Sequence, residues 1–290
     1  MVIEIKALAC ELPSLSGLPL SRLSIADIQS EAVDRGLVAA IGETTIWRWL
    51  SEDAIRPWRH RSWIFPRDPE FAPKASRVLD LYEGVWEDEP LGDGDFVVCA
   101  DEKTSIQARQ RRHPSKAPGP GTPMRYEHEY HREGALAYLA AWDVHRARLH
   151  GRCEPRSGIE PFERLVEQVM VLEPYRSAQR VFWVVDNGSS HRGERAVRRL
   201  HERWPTLLLI HTPVHASWLN QCEIYFSVVQ RKVLTPNDFP SLAALEDNLL
   251  GFQDRYQRAA VPFQWRFTRR DLQELLAKLD RPDSTFRLAA

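Results

Sequence analysis

The spacing of apolar positions changes several times along the 290-residue chain, and each change marks a different kind of element. Between Ser24 and Gly36, Ile25, Ile28, Ala32 and Val33 recur at helical spacing, with Ser24 placed to cap the helix and Gly36 to end it. A second helix starts at Thr44 or Thr45 and buries Ile46 with Trp49 or Leu50. Two short helices across a tight Gly-containing connection suit a helix-turn-helix, with residues 43–49 shaped for a major groove, although any helical hairpin shares the pattern. Periodicity then stops in DAIRPWRHRSWIFPRDP, where three prolines forbid regular structure and arginines alternate with tryptophans and a histidine. This segment reads as an extended arm, fit either to enter a minor groove or to strap two domains together. A helix over 69–83 and the turn-rich EDEPLGDGD follow.

Beyond that boundary the pattern is that of an α/β domain. DFVVCAD (95–101) is a continuous apolar run; 134–143 and 144–152 pattern as two strands of a hairpin; in 160–174, Phe162, Leu165, Val166, Val169 and Met170 share one helical face. VFWVVD (181–186), a helix over 191–204, the strand TLLLIH (206–211) and a helix over 218–234 complete the unit, and residues 241–290 pattern as mostly helical. The first three strands can pair antiparallel, while the later two arrive through helical crossovers and should be parallel.

Composition changes this picture little. Hydrophobic residues make up 43% and charged residues 27%, the formal net charge is −1, and no apolar run reaches the roughly 18 residues of a membrane span. Cys10, Cys99, Cys153 and Cys222 lie far apart, as isolated thiols of a reducing compartment do, so the cytoplasm is the expected location and no membrane partner is implied. Charge is uneven, however: 103–132 holds seven lysines and arginines against two glutamates, which makes a polyanion a plausible partner there.

The candidate chemistry lies where the greasiest strands stop. DFVVCAD and VFWVVD are apolar on both faces, as central strands are, and each ends in an aspartate. Ligands bind beyond the carboxyl ends of such strands, so adjacent strands would set Asp101 beside Asp186. Two neighbouring carboxylates repel unless a cation compensates, and Mg²⁺ prefers carboxylate oxygens. Glu223 borders the apolar stripe Leu219, Cys222, Phe226, Val229 and Val233, which predicts a partly inward-facing third carboxylate. Glu102 points to the other face of its strand and is not counted as a ligand. His211, His215 and Cys222 lack the paired spacing of a zinc site.

CADEKTS, WVVDNGSSHRG and TPVHASWLNQCEIYFSVVQRKVL together resemble the bacterial insertion-sequence relatives of the mariner transposases, the insertion-sequence six-thirty group, from about Ser24 to the C-terminus. The 36 residues between Asp186 and Glu223 agree with that group. The resemblance implies an α/β ribonuclease H-like core, a mixed five-stranded sheet with helices on both faces, carrying a small N-terminal helix-turn-helix and a helical C-terminal segment. The implied limits are 1–55 for DNA binding, 56–92 for the basic linker and its helix, 93–240 for the catalytic domain and 241–290 for the C-terminal segment. Asp101, Asp186 and Glu223 would hold two Mg²⁺ ions, with Mn²⁺ as a substitute, for cleavage of element ends and strand transfer. Asn187 and His191 would orient the scissile phosphate or a water; His215 and Asn220 would hold the loop carrying Glu223. Double-stranded DNA, both inverted repeats and target, is the implied partner of a homodimer in a bacterial nucleoid. Thr44, Thr45 and Arg48, then Arg56, Arg59 and Arg61, and Arg109, Arg111, Arg112 and Lys116 in the basic insertion are the candidate DNA contacts. Family members carry two helix-turn-helix units, whereas the residues before the arm leave room for one, with 1–13 read as the tail of another. A non-catalytic DNA-binding remnant and a nuclease without strand transfer are the alternatives.

Overall fold

The computed structural model describes residues 1–59 and 68–279 and divides the chain into two compact units, Met1–Phe65 and Pro66–Ala290. In the first unit three helices, α1 (Val2–Ala9), α2 (Ile25–Asp34) and α3 (Glu43–Glu52), enclose Ile5, Leu8, Leu23, Ile28, Ala32, Ile46 and Leu50. Ser24 caps α2 as its sequence predicts: its Oγ accepts from the Asp27 N–H, and the Asp27 carboxylate accepts from the Ser24 N–H at 2.8 Å. Residues 2–9, read from sequence as part of a tail, instead form a helix that contributes Ile5 and Leu8 to this core. Part of the predicted arm, including Arg61, lies outside the described residues.

The second unit starts with α4 (Phe71–Tyr82) and a small hairpin, β1 (Val85–Trp86) with β2 (Glu89–Pro90). Its body is β3 (Asp95–Arg111), β4 (Tyr130–Asp143), β5 (Arg148–Glu154), α5 (Ile159–Met170), β6 (Arg180–Val185), α6 (Glu194–Arg203), β7 (Leu207–His211), α7 (Cys222–Lys232), α8 (Leu242–Gln257) and α9 (Arg269–Leu279). The sheet order is β5-β4-β3-β6-β7, with β3, β4 and β5 antiparallel and β3, β6 and β7 parallel, the mixed pairing expected. Alternation along β3 explains its unbroken apolar run. Phe96, Val98 and Ala100 face α5 and its Phe162, Leu165 and Val166; Val97 and Cys99 face the layer containing α4, α7 and α8. On that second face the C-terminal aromatics close the core, Phe263 against Trp142 at 4.6 Å and Trp265 against Tyr82 at 5.2 Å.

Three elements differ from expectation. β3 does not stop at Asp101 but runs to Arg111, and β4 begins at Tyr130, so the basic insertion is a long two-stranded arm rather than a loop. Bulges between Lys103 and Ile106 and between Gln107 and Arg109 bend it, with Ser105 and Gly134 at positive φ. The helix after Asp186 starts only at Glu194, because 187–193 fold into a turn. The helix expected over 218–234 is split into a short 3-10 turn, Ser217–Leu219, and α7.

Candidate active site

The parallel ladder between β3 and β6 pairs Asp95 with Arg180 at one end and Cys99 with Val184 near the other. Asp101 and Asp186 stand two residues past that last pair, so the same register brings them side by side where β6 ends and β3 continues against β4 alone. Asp101 is the more confined. Burial, with the charges of Glu223, Asp186 and Glu102, pushes its carboxyl up to about 8, opposed by the Glu102 N–H that donates to its Oδ1 at 2.8 Å.

Asp186 opens a tight turn. Its Oδ1 accepts from the Gly188 N–H at 2.7 Å and lies 2.7 Å from His191 Nε2, and this imidazole holds the carboxyl below the usual carboxylate range. A Cβ on Gly188 would sit 2.9 Å from that same oxygen and 3.1 Å from the His191 ring, so a side chain here would force the two apart. His191 is 1% exposed, packs on Phe162 at 4.8 Å, and meets Ser190 Oγ through Nδ1 at 2.9 Å. Ser190 Oγ donates in turn to Glu102 Oε1 at 3.1 Å. A chain of contacts thus runs from Asp186 through His191 and Ser190 to Glu102, whose carboxyl burial pushes up. The sequence places Glu102 on the other face of β3 from Asp101. That face is where the turn carrying Ser190 and His191 folds back, and the only signal was a second acid next to Asp101 at the end of an apolar strand.

Glu223 arrives by a different route. Asn220 is buried, donates from Nδ2 to the Ala100 carbonyl at 2.7 Å and accepts the Cys222 N–H on Oδ1 at 3.0 Å. Cys222 Sγ donates to the Cys99 carbonyl at 2.9 Å, and Tyr82 Oη donates to the Leu219 carbonyl at 2.6 Å. The start of α7 is therefore fastened to the last residues of β3 before Asp101, and Glu223 lies in its first turn. Its side chain is exposed, not partly inward as the stripe predicted, because Tyr225 takes the buried position beside Phe226. Cys222 is enclosed, and burial pushes its thiol well up, which makes it an inert packing group.

The other predicted residues separate. Asn187 donates to the Thr212 carbonyl at 2.7 Å and so ties the turn to the end of β7; His191 is too buried to reach a phosphate, and its contact is with Asp186. His215 is exposed at φ 63°, and among the described residues it makes no hydrogen bond to the segment carrying Glu223. Thr44, Arg48, Arg56 and Arg59 are exposed and Thr45 is half-buried. In the arm, Arg111 is occupied: it donates to the carbonyls of Asn237, Glu127 and His128 and lies over the rings of Tyr126 and Tyr130. Arg109 stacks on Tyr130 at 4.7 Å, Arg112 pairs with Glu129 at 3.4 Å, and Lys116 is exposed.

The donor chemistry here fits a hard divalent cation: carboxylate oxygens at the strand ends, where burial first and then neighbouring negative charge push the Asp101 carboxyl up. Among the described residues no three His, Cys, Asp or Glu side chains stand close enough to share one ion. No helix among the described residues is long and apolar enough to cross a membrane.

A family model described as DDE superfamily endonuclease matches residues 96–246, from the first residues of β3 into α8. No curated protein matches the chain significantly. Among solved structures, the fold is similar to a pre-cleavage Mos1 transpososome, with a TM-score of 0.57 and 15% identity over 97% of this chain and 79% of the other. It is also similar to Mos1 mariner paired-end complexes with Mn (TM-score 0.54, 15% identity) and with Mg (TM-score 0.54, 14% identity), each over 96% of this chain and 76% of the other. The second unit thus has the ribonuclease H-like fold of the DDE transposases.

Proposed function

Because the chain belongs to the DDE superfamily of endonucleases, we propose that it is a metal-dependent DNA transposase of the mariner-like insertion-sequence group, which cuts at the ends of its element and joins the freed 3′ ends to target DNA. The observation that carries this reading is the register of β3 against β6, which ends with Asp101 beside Asp186, while Asn220 fastens the helix bearing Glu223 to the same strand. In this reading Asp101, Asp186 and Glu223 hold two Mg²⁺ ions, or Mn²⁺ in their stead, and the solved paired-end complexes with Mn and with Mg support that choice. Bound there, the ions would lower the pKa of an attacking water and stabilise the leaving oxygen of an in-line displacement.

The chain's own residues prepare that step. Asp186 has one carboxylate oxygen committed to His191 and the Gly188 N–H, which fixes its rotamer and leaves Oδ2 for the crevice. His191 acts as a positioning residue, and Ser190 and Glu102 hold its far nitrogen. α3 is the major-groove element, with Thr44 and Arg48 on its open side and Thr45 at its margin, and Arg56, Arg59 and Arg61 follow the backbone from the arm. Lys116 is the freer cation of the β3–β4 arm, with Arg112 paired to Glu129 and Arg109 and Arg111 committed to shaping it. A homodimer bridging two element ends, working at the bacterial nucleoid, completes the reading.

The test is incubation with labelled element-end DNA in Mg²⁺ or Mn²⁺, alongside Asp186→Asn. Metal-dependent nicking followed by joined products is the expected result for the wild type, with neither in the variant. Nicking without joining would assign a nuclease instead, and nicking that survives the substitution would remove Asp186 from the site.

A further inference from the structure

Five arginines, Arg192, Arg195, Arg198, Arg199 and Arg203, crowd the segment from the Asp186 turn through α6, and the structure sets four of them in two pairs. Arg199 pairs with Glu163 and Arg203 with Glu167, both acids on α5, so on that side of the helix each cation meets an anion. Arg192 and Arg198 are exposed, and among the described residues neither forms an ion pair. Both line a cleft of about 540 Å³ whose walls also include Asn187, Val197, His211 and Lys74. Lys74 is already held by Asp68 at 3.0 Å and Glu70 at 3.2 Å, and among the described residues Glu194 is the one acid on the wall. The cleft therefore offers two uncommitted guanidinium groups, and it opens one residue from Asp186.

We propose that this cleft binds the phosphodiester backbone of a DNA strand as it passes the Asp101–Asp186–Glu223 site, with Arg192 and Arg198 as its phosphate contacts. Guanidinium groups match phosphate oxygens in bidentate geometry, and each contact releases counterions condensed on the nucleic acid. A helix neutralised against its own sheet layer on one side and left cationic over a recess on the other has the charge asymmetry a polyanion selects. The location relative to the cut rests on the transposase reading; the chemistry of the cleft does not.

The experiment uses the full chain in EDTA, a labelled oligothymidylate and a salt series, comparing wild type with Arg192→Ala/Arg198→Ala and Arg192→Lys/Arg198→Lys. Loss of two phosphate contacts should flatten the slope of log K against log salt by about 1.4, at roughly 0.7 per contact for single strands. The lysine pair should keep the wild-type slope, which separates charge from packing, and unchanged melting of both variants confirms that each is folded. An alanine pair that binds with the wild-type slope would overturn the inference. The same proteins are then assayed for cleavage in Mg²⁺. A wild type that never cuts, while the slope still depends on the two arginines, counts against the transposase reading alone. A wild type that cuts, with a slope indifferent to them, counts against the cleft alone.

Discussion

The two ends of one strand pair, β3 against β6, carry half-buried aspartates with opposite fates. At the start, the register sets Asp95 opposite Arg180, whose Nε and Nη2 donate to its two oxygens at 2.8 and 2.7 Å, and this fork holds the carboxyl below its usual range. At the finish, the same register sets Asp101 beside Asp186, with Glu223 and Glu102 adding negative charge and burial pushing the Asp101 carboxyl up to about 8. One end is neutralised within the chain; the other is assembled as though its cation comes from outside. Breaking a paired end should cost stability, whereas breaking an unpaired end should cost function and relieve crowding.

The largest expected effect is at the crowded end. Asp101→Asn or Asp186→Asn should reduce metal-dependent DNA cleavage by about a thousandfold or more, the several kcal/mol that metal-assisted displacement supplies; Asp101→Asn should do so without lowering the melting temperature, whereas Asp186→Asn also gives up its contact with His191. Asn220→Ala should do both kinds of damage, because the Ala100 carbonyl and the Cys222 N–H lose their buried partner. A loss of roughly 1–3 kcal/mol in denaturant unfolding is expected, together with about a hundredfold slower cleavage as Glu223 loses its anchor.

At the paired end, Asp95→Asn should leave cleavage by the folded protein unchanged and cost about 1–3 kcal/mol, between the effects of exposed and of fully buried pairs since Arg180 is 40% exposed. The sign of its pH dependence follows from the depressed carboxyl. The pair's contribution is complete above the unfolded value near 3.8 and disappears as pH falls through the lower folded value. The gap between wild type and Asp95→Asn in urea unfolding should therefore be constant from neutral pH to about pH 5 and close below 3.8. The smallest effect belongs to the contact chain behind Asp186. Glu102→Gln should slow cleavage by about tenfold and raise the Mn²⁺ concentration needed for half-maximal rate, as loss of an indirect support does; an unchanged metal requirement would reduce Glu102 to packing.

Much of this contrast was legible in the chain. Apolar runs on both faces fixed β3 and β6 as central strands, and their terminal aspartates marked the crevice. What escaped was set by partners far away in sequence. KTSIQARQR lacks a continuous apolar run, but Ile106 and Ala108 are buried and Ile106, Gln107 and Arg109 pair with β4, so the strand continues as an arm that period alone did not reveal. His191 sits in a Gly-Ser-Ser turn that reads as solvent-exposed; its burial comes from Phe162 on α5, a contact no local pattern encodes. Glu223 was read as leaning inward, but its stripe needed only Cys222, Tyr225, Phe226 and Val229 to fill the core, which left the carboxylate outside.

The most direct test of the central claim is a Mn²⁺ titration of the folded protein without DNA, followed by thermal denaturation and by the loss of the free-ion electron paramagnetic resonance signal. If the crowded end is a cation site, Mn²⁺ at ten times its dissociation constant should stabilise the wild type by about 1.4 kcal/mol and lose its free-ion signal, with both effects absent in Asp101→Asn and intact in Asp95→Asn. An equal response from Asp101→Asn and the wild type would contradict the account.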